Sequence, residues 1–367
     1  MKRLLLWIAV PLMLLGAGVV LVISSGAVTD RGDVPAARTS ARPEGGAAAT
    51  DARQSTPCAS GTCWVAVNVA TLWADPRARQ TAPRPIDHPA LTNPADPRRW
   101  VDSMTVAQKL WLVGKLETQV LYDVKVEVIG QWVSPAHVRW AKVVVPSQPT
   151  NRDTRGYPGW LPARQLTTIR PDNTGTVAVI RSRASWLWSA WSSTGVGGSK
   201  VMQVSNATML PVVKATSAYV TVTLLGGQQV ALRPSDVAVF AAGRPWGATR
   251  TRVVNQAKTF QGLQYLWAGT SGFGYDCSGF TYSVYRDYGI RLSRDAEQQA
   301  LHGTPVAKSA LRPGDLVFYR ESPSGSIGHV AMYAGSGTII GAPQTGQPVK
   351  IEPLSSHSYY AGARRYL

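Results

Sequence analysis

At 367 residues, 44% of them apolar, the chain is too long for one ordinary core and too apolar to be disordered throughout, so two or three packed domains with appendages are expected. Its formal charge of +17 falls mostly between residues 58 and 250, which suits an anionic polymer or a membrane face, or reflects nothing more than Arg-rich codon usage. No nucleic-acid-binding motif accompanies the charge, so nucleic acid is set aside as a partner.

The chain starts Met-Lys-Arg, then runs from Leu4 to Ile23 without a charge and on into Ser-Ser-Gly-Ala. A basic start before an apolar run is an export signal, and about twenty apolar residues also match a bilayer span. Residues 1–27 are therefore a signal peptide cleaved after Ala27 or a retained anchor, and no cysteine stands beside them to carry a lipid. Either way the remainder is expected outside the cytoplasm. Residues 28–57 hold almost nothing large and apolar and read as a linker, unable to offset its own ordering entropy. In that oxidising setting "CASGTC" makes Cys58 and Cys63 a disulfide closing a small ring, or half of a metal site for which no second Cys or His pair stands nearby.

Residues 58–170 carry short alternating runs, "WVAVNVATLWA", "QVLYDVKVEVIGQW", "VRWAKVVVP" and "GWLPARQL", broken by turn residues. Period-two alternation of this kind predicts strands of a small barrel. Between the first two runs, Asp75 to Asp102 reads as a Pro- and Arg-rich insertion over the surface, and "VAQKLWLVGK" as a short helix. Residues 171–245 open with "VAVIRSRASWLWSA", which echoes "VAVNVATLWADP" and predicts a second, related barrel. The thirteen tryptophans read as packing rather than as sugar-stacking platforms.

From 246 to 367 the pattern changes. "RVVNQAKTFQGLQYLWAG" has helical spacing, the Gly-rich "GTSGFGYD" follows, and Phe280, Val284, Tyr285 and Tyr288 share a helical face that stops at Gly289. "GDLVFYR", "GHVAMYAG" and "GTIIGAP" then predict consecutive antiparallel strands, which makes the domain α+β.

Cys277, the odd cysteine of three, sits where the Gly-rich loop becomes a helix. Unpaired backbone N–H groups there favour a thiolate, so a lowered thiol pKa is expected. His329 opens the strand "GHVAMYAG", where an imidazole base for that thiol belongs.

The words "YLWAGTSGFGYDCSGFTYSVYRDYGIRLSRDAEQQ", "LRPGDLVFY", "GHVAMYAG" and "APQTG" resemble, in order and spacing, the NlpC-type peptidases of bacterial cell walls across about the last 110 residues. The resemblance implies a circularly permuted papain-like fold. It also implies hydrolysis of amide bonds in peptidoglycan stem peptides, most commonly the γ-D-glutamyl–diamino acid bond, with no cofactor and no metal. "TQVLYDVKVEVIGQW" and "GYPGWLPARQL" look like the bacterial SH3-like barrels that precede such peptidases in a group with two barrels. In that group the first barrel leans over the cleft and restricts the substrate to short stem peptides with a free amino terminus. The expected organisation is thus 58–170 and 171–245 as the two barrels and 246–367 as the peptidase domain, in a monomer acting at the cell wall.

Carried over by position, the resemblance makes Cys277 the nucleophile, His329 the general base and Tyr265 the tyrosine that helps the oxyanion. Asp276 and Ser278 match the pair that binds the substrate's free amine, Arg294 and Asp295 a polar segment lining the cleft, and Tyr157 and Asp123 cleft-capping groups. Each also has a plain structural reading: Asp276 as a helix N-cap, Tyr265 as a packed aromatic, Arg294 and Asp295 as an ion pair fixing a loop.

The pattern breaks twelve positions after His329, where the family usually has a polar residue, most often His, and this chain has Gly341. Water or a backbone carbonyl can fill that space, Gln344 can swing in, or the site is weakened; His357 is a more remote candidate. Two functions of other classes stay open beside the hydrolase. One is a wall-binding protein on a degenerate catalytic scaffold, and the other is acyl transfer to or from a lipid.

Overall fold

A computed structural model describes residues 58, 60–170, 175–241 and 246–367. The expected export segment 1–27 and linker 28–57 lie outside the described residues. Among those described, no helix is long and apolar enough to cross a membrane.

The first seven strands form one antiparallel sheet: Gly61–Val65, Val69–Trp73, Leu116–Leu121, Lys125–Val133, Arg139–Val145, Tyr157–Pro162 and Leu166–Thr167. Alternation supplies its core, with Cys63, Val65, Val126, Val143, Val145 and Leu161 buried inward. The cysteines form a disulfide, Cα atoms 6.1 Å apart, at the entry of the first strand. The next seven strands, from Thr176–Ile180 to Val237–Ala241, form a second sheet. Counted in chain order, both sheets run third, second, sixth, fifth, fourth, first, seventh. The faint echo between the two opening sequences therefore marks a repeated topology.

The Pro-rich insertion departs from the surface segment expected. It folds into short helices, His88–Leu91 and Pro97–Ser103, after a 3₁₀ turn at Pro85–Asp87, and beyond it Val106–Trp111 is the short helix expected of "VAQKLWLVGK". Pro85 opens the 3₁₀ turn and Pro97 the second helix, with Pro89 second in the first, all in the first turn where a missing N–H costs nothing, and Asp96 and Thr105 cap the second and third helices. What pulls the segment inward is aromatic area. Trp100 is fully buried with Trp73, Val101, Trp140 and Trp160, and its indole donates to the buried Asp87 carboxylate at 3.0 Å.

After helix Arg250–Lys258 comes the helix that Cys277 opens, Cys277–Arg286, which packs across a six-stranded antiparallel sheet. Period two sorts the sheet's faces: Leu316, Phe318, Val330, Met332 and Ile340 meet Phe280 and Val284 of the helix, while Val317, Tyr319, Ala331 and Ile339 form a separate cluster. Gly289 takes φ +73° just past the helix, as its sequence position required.

Both N-terminal sheets are bonded to this domain at the Gly-rich loop. Gln119 of the first sheet accepts from Thr270 N, Thr270 Oγ1 and Ser271 Oγ at 2.8–3.2 Å, and Ser205 Oγ of the second accepts from Gly272 N at 2.8 Å.

Candidate active site

The nucleophile helix begins at Cys277 because Asp276, in extended conformation, accepts the Gly279 N–H at 2.6 Å as an N-cap. Gly279 is required by contact: a Cβ there would lie 2.0 Å from the Gly269 carbonyl oxygen. The chain start of the helix is thereby pressed onto the loop, and Cys277 is held against the strand Ile327–Gly335, its Sγ 4.0 Å from the Gly328 carbonyl oxygen. The next residue of that strand is His329.

The thiol does not behave as its helix position alone suggested. Burial, reinforced by the Asp276 carboxylate, pushes the Cys277 thiol up to about 12, and these outweigh the backbone N–H groups that favour the anion. His329, paired across the sheet with Tyr319, is driven down to about 3 by burial and by the neighbouring His357. Both shifts run toward the uncharged form, thiol for Cys277 and neutral imidazole for His329. Tyr265 is buried, sits electrostatically close to Cys277, and has its phenol pushed well above the usual range by burial, so it stays protonated and able to donate.

Around the nucleophile lies a tight polar cluster built on Arg294, which is 1% exposed. Its Nη2 donates to Asp276 Oδ2 at 2.6 Å, Nη1 to Asp276 Oδ1 at 3.2 Å and to Ser278 Oγ at 3.0 Å, and Nε to Thr118 Oγ1 of the first sheet at 2.9 Å. Asp276 is thus both helix cap and counter-ion, and Ser278 is held by the same guanidinium. The adjacent Asp295 accepts from Tyr157 Oη at 3.2 Å, which joins the cleft to the first sheet. Burial raises the Asp295 pKa, partly offset by Arg294.

Sequence reasoning missed the groups behind Tyr157. Arg152 donates to its hydroxyl at 3.2 Å and is ion-paired with Glu117. Glu117 and Thr118 sit on the strand whose alternation was read only as core, and no spacing in the sequence marks them as neighbours of a domain more than a hundred residues away.

Two expected residues stand elsewhere. Asp123 occupies a turn at φ +59°, with its carboxylate ion-paired to Arg170 at 2.8 Å, and joins none of the cluster's bonds. Gln344 is exposed, its carbonyl accepting the Gln347 N–H. The side chain that does lie there is the remote candidate: the His357 ring stacks on that of His329, centroids 4.2 Å apart and planes 29° from parallel.

Against known proteins, residues 262–365 match the NlpC/P60 family. A γ-D-glutamyl-L-lysine dipeptidyl-peptidase of Bacillus cereus is 40% identical over 314 residues, covering 83% of this chain and 90% of that one. One of the same name from Bacillus subtilis is 35% identical, covering 79% and 93%. The crystal structure of an NlpC/P60 family protein from Bacillus cereus superposes with a TM-score of 0.75 at 38% identity, over 83% of this chain and 99% of that one.

Proposed function

Because the chain belongs to the NlpC/P60 family, we propose that this cysteine peptidase is an exported peptidoglycan hydrolase that cleaves the γ-D-glutamyl–diamino acid bond of stem peptides, the diamino acid being diaminopimelate. The observation that carries the reading is the buried cluster joining Asp276, Ser278 and Arg294 beside Cys277 to Thr118, with Tyr157 and Asp295 meeting alongside. A wall contributed by the first sheet closes one end of the cleft, and the carboxylate of Asp295 and the hydroxyl of Tyr157 are what a substrate's free amine would meet there. That geometry favours release of an N-terminal dipeptide. In this reading 58–170 and 171–245 are SH3-like barrels, and 246–367 has the circularly permuted papain-like fold.

The chemistry follows from the resting protonation states. As the carbonyl of the γ-linked D-glutamate reaches the site, the Cys277 proton passes to His329 and the sulfur attacks, forming a tetrahedral oxyanion. Tyr265 Oη and the N–H groups at the helix start donate to that oxyanion. The His329 imidazolium then gives its proton to the leaving amine, and water, deprotonated by the same histidine, hydrolyses the thioester. With both shifts toward the uncharged forms, proton transfer from Cys277 to His329 accompanies the attack.

The test is to incubate the full chain with L-Ala-γ-D-Glu-diaminopimelate and look for L-Ala-D-Glu by mass spectrometry. Cys277→Ala is expected to lower turnover by roughly 10⁴-fold or more. Hydrolysis that persists in this variant overturns the nucleophile assignment. Gly341 motivates one alternative, a wall-binding protein with a disabled centre, and absence of cleavage of any muropeptide would favour it.

A further inference from the structure

The hydrolytic reading leaves His329 without the side-chain partner that its family usually supplies from the next strand. Gly341 is buried at that place, and a Cβ built on it would stand 3.3 Å from Ala331 Cβ, a contact that a shift of a few tenths of an ångström would relieve.

A different segment reaches the same ring. His357 follows the 3₁₀ turn Leu354–Ser356, and the loop that carries it is bonded to the sheet at both ends. Leu354 N donates to Gly337 O at 2.8 Å, Tyr319 Oη donates to Leu354 O at 2.9 Å, and Arg320 N donates to Tyr359 O at 2.9 Å. The His357 ring stacks on His329 and also meets Tyr319, centroids 5.1 Å apart. Its Nε2 is 2.9 Å from Glu352 Oε1, and Glu352 in turn pairs with Lys350 Nζ at 2.9 Å. Tyr319 lies 6.0 Å from the His329 ring and 6.2 Å from Tyr360, over which Lys308 sits.

We propose that His357, fixed by Glu352, is a positioning residue that replaces the missing third member by holding the His329 ring plane through stacking. The reading explains why the chain tolerates a glycine at position 341. A stacked plate sets ring orientation without accepting the imidazole N–H. The inference rests on the hydrolase assignment, but its test includes a readout independent of substrate. Cys58 and Cys63 are disulfide-bonded, so Cys277 is the free thiol, and its alkylation by iodoacetamide reports on the pair alone.

His357→Ala is expected to lower kcat by roughly 10- to 100-fold with KM changed less than about threefold. It should also move the acid limb of both kcat/KM and the alkylation rate to higher pH, because water then reaches His329 and the repulsion from His357 is gone; the groups facing the ring, Tyr319, Tyr360, Lys308, Lys350 and Glu352, are unchanged. His357→Phe, which keeps the plate, should retain most of the activity. Gly341→His added to His357→Ala should recover at least about tenfold, since it restores a partner from the usual strand. A folded His357→Ala protein with unaltered kcat and an unaltered alkylation profile overturns the proposal. If the unsubstituted chain cleaves no stem peptide, the hydrolase reading falls, while the alkylation profiles still decide whether His357 orients His329.

Discussion

The two N-terminal sheets have the same seven-strand order and opposite relations to the chemistry. In the first, the connection from second to third strand is the helical insertion of residues 74–115, which packs Trp100 and Trp73 against Leu266 and Ala268 of the peptidase domain. In the second, the same connection is a two-residue turn between Ala184–Ser192 and Gly195–Ser205, leaving a long hairpin with Trp186 on its exposed face. The first sheet consequently reaches the catalytic cluster through Thr118 and Tyr157. The second braces the opposite end of the nucleophile helix, where Asn206 Nδ2 donates to Asp287 at 3.0 and 3.3 Å and Gln256 Nε2 donates to Arg181 O at 2.8 Å. One topology thus meets the Cys277–Arg286 helix at either end, the first sheet through Thr118 and Tyr157 on its own strands and the second through Asn206.

The contrast breaks most severely at Arg294. Arg294→Ala leaves the Asp276 carboxylate buried without its partner, and a loss of about 3–5 kcal/mol in urea unfolding, together with loss of turnover, is expected. Tyr157→Phe removes a hydroxyl that the first sheet places over Asp295. The expected result is a KM for the free-amine tripeptide raised by roughly 10-fold, with little change for an N-acetylated one; equal changes for both peptides would mean that the first sheet does not recognise the amine.

At the prop the effect is on stability and its pH dependence. Burial raises the Asp287 pKa to about 7, against an ordinary value of 3.8. The folded form therefore holds a proton that the unfolded chain has released, and the stability this confers is lost as pH rises through 7. His329, shifted downward, has the opposite slope, giving up stability as pH falls from about 6.5 toward 3. Comparing Asp287→Asn with the unsubstituted chain isolates the first effect: melting temperatures measured from pH 5 to 8 should diverge in favour of the variant, while kcat at pH 7 stays put. The smallest effect is expected at Trp186→Ala on the exposed hairpin, within about 0.5 kcal/mol and without kinetic consequence.

Much of this was legible in the chain itself. "GYDCSGF" marked a capped helix start with a thiol at its first position, because loop glycines, an Asp cap and helical spacing are all local signals. Strands and the repeat were legible for the same reason. The helices within the insertion were not legible because its prolines and arginines look solvent-seeking, whereas the burial of its Trp100 depends on meeting Trp73 and Trp160. The direction of the Cys277 shift was missed since a helix terminus is visible in sequence and desolvation is not. His357 was ranked last for being far along the chain from His329, and only the pairing of the strands shows that the loop after Pro353 folds back over that ring.

The Gly-rich loop bonded to Gln119 on one side and Ser205 on the other sets a practical limit on dissection. A fragment beginning at residue 246 would release the Thr270 and Gly272 amides from their acceptors and strip Arg294 of Thr118. Such a fragment is therefore expected to be less stable than the assembly from the disulfide onward, which keeps these groups paired.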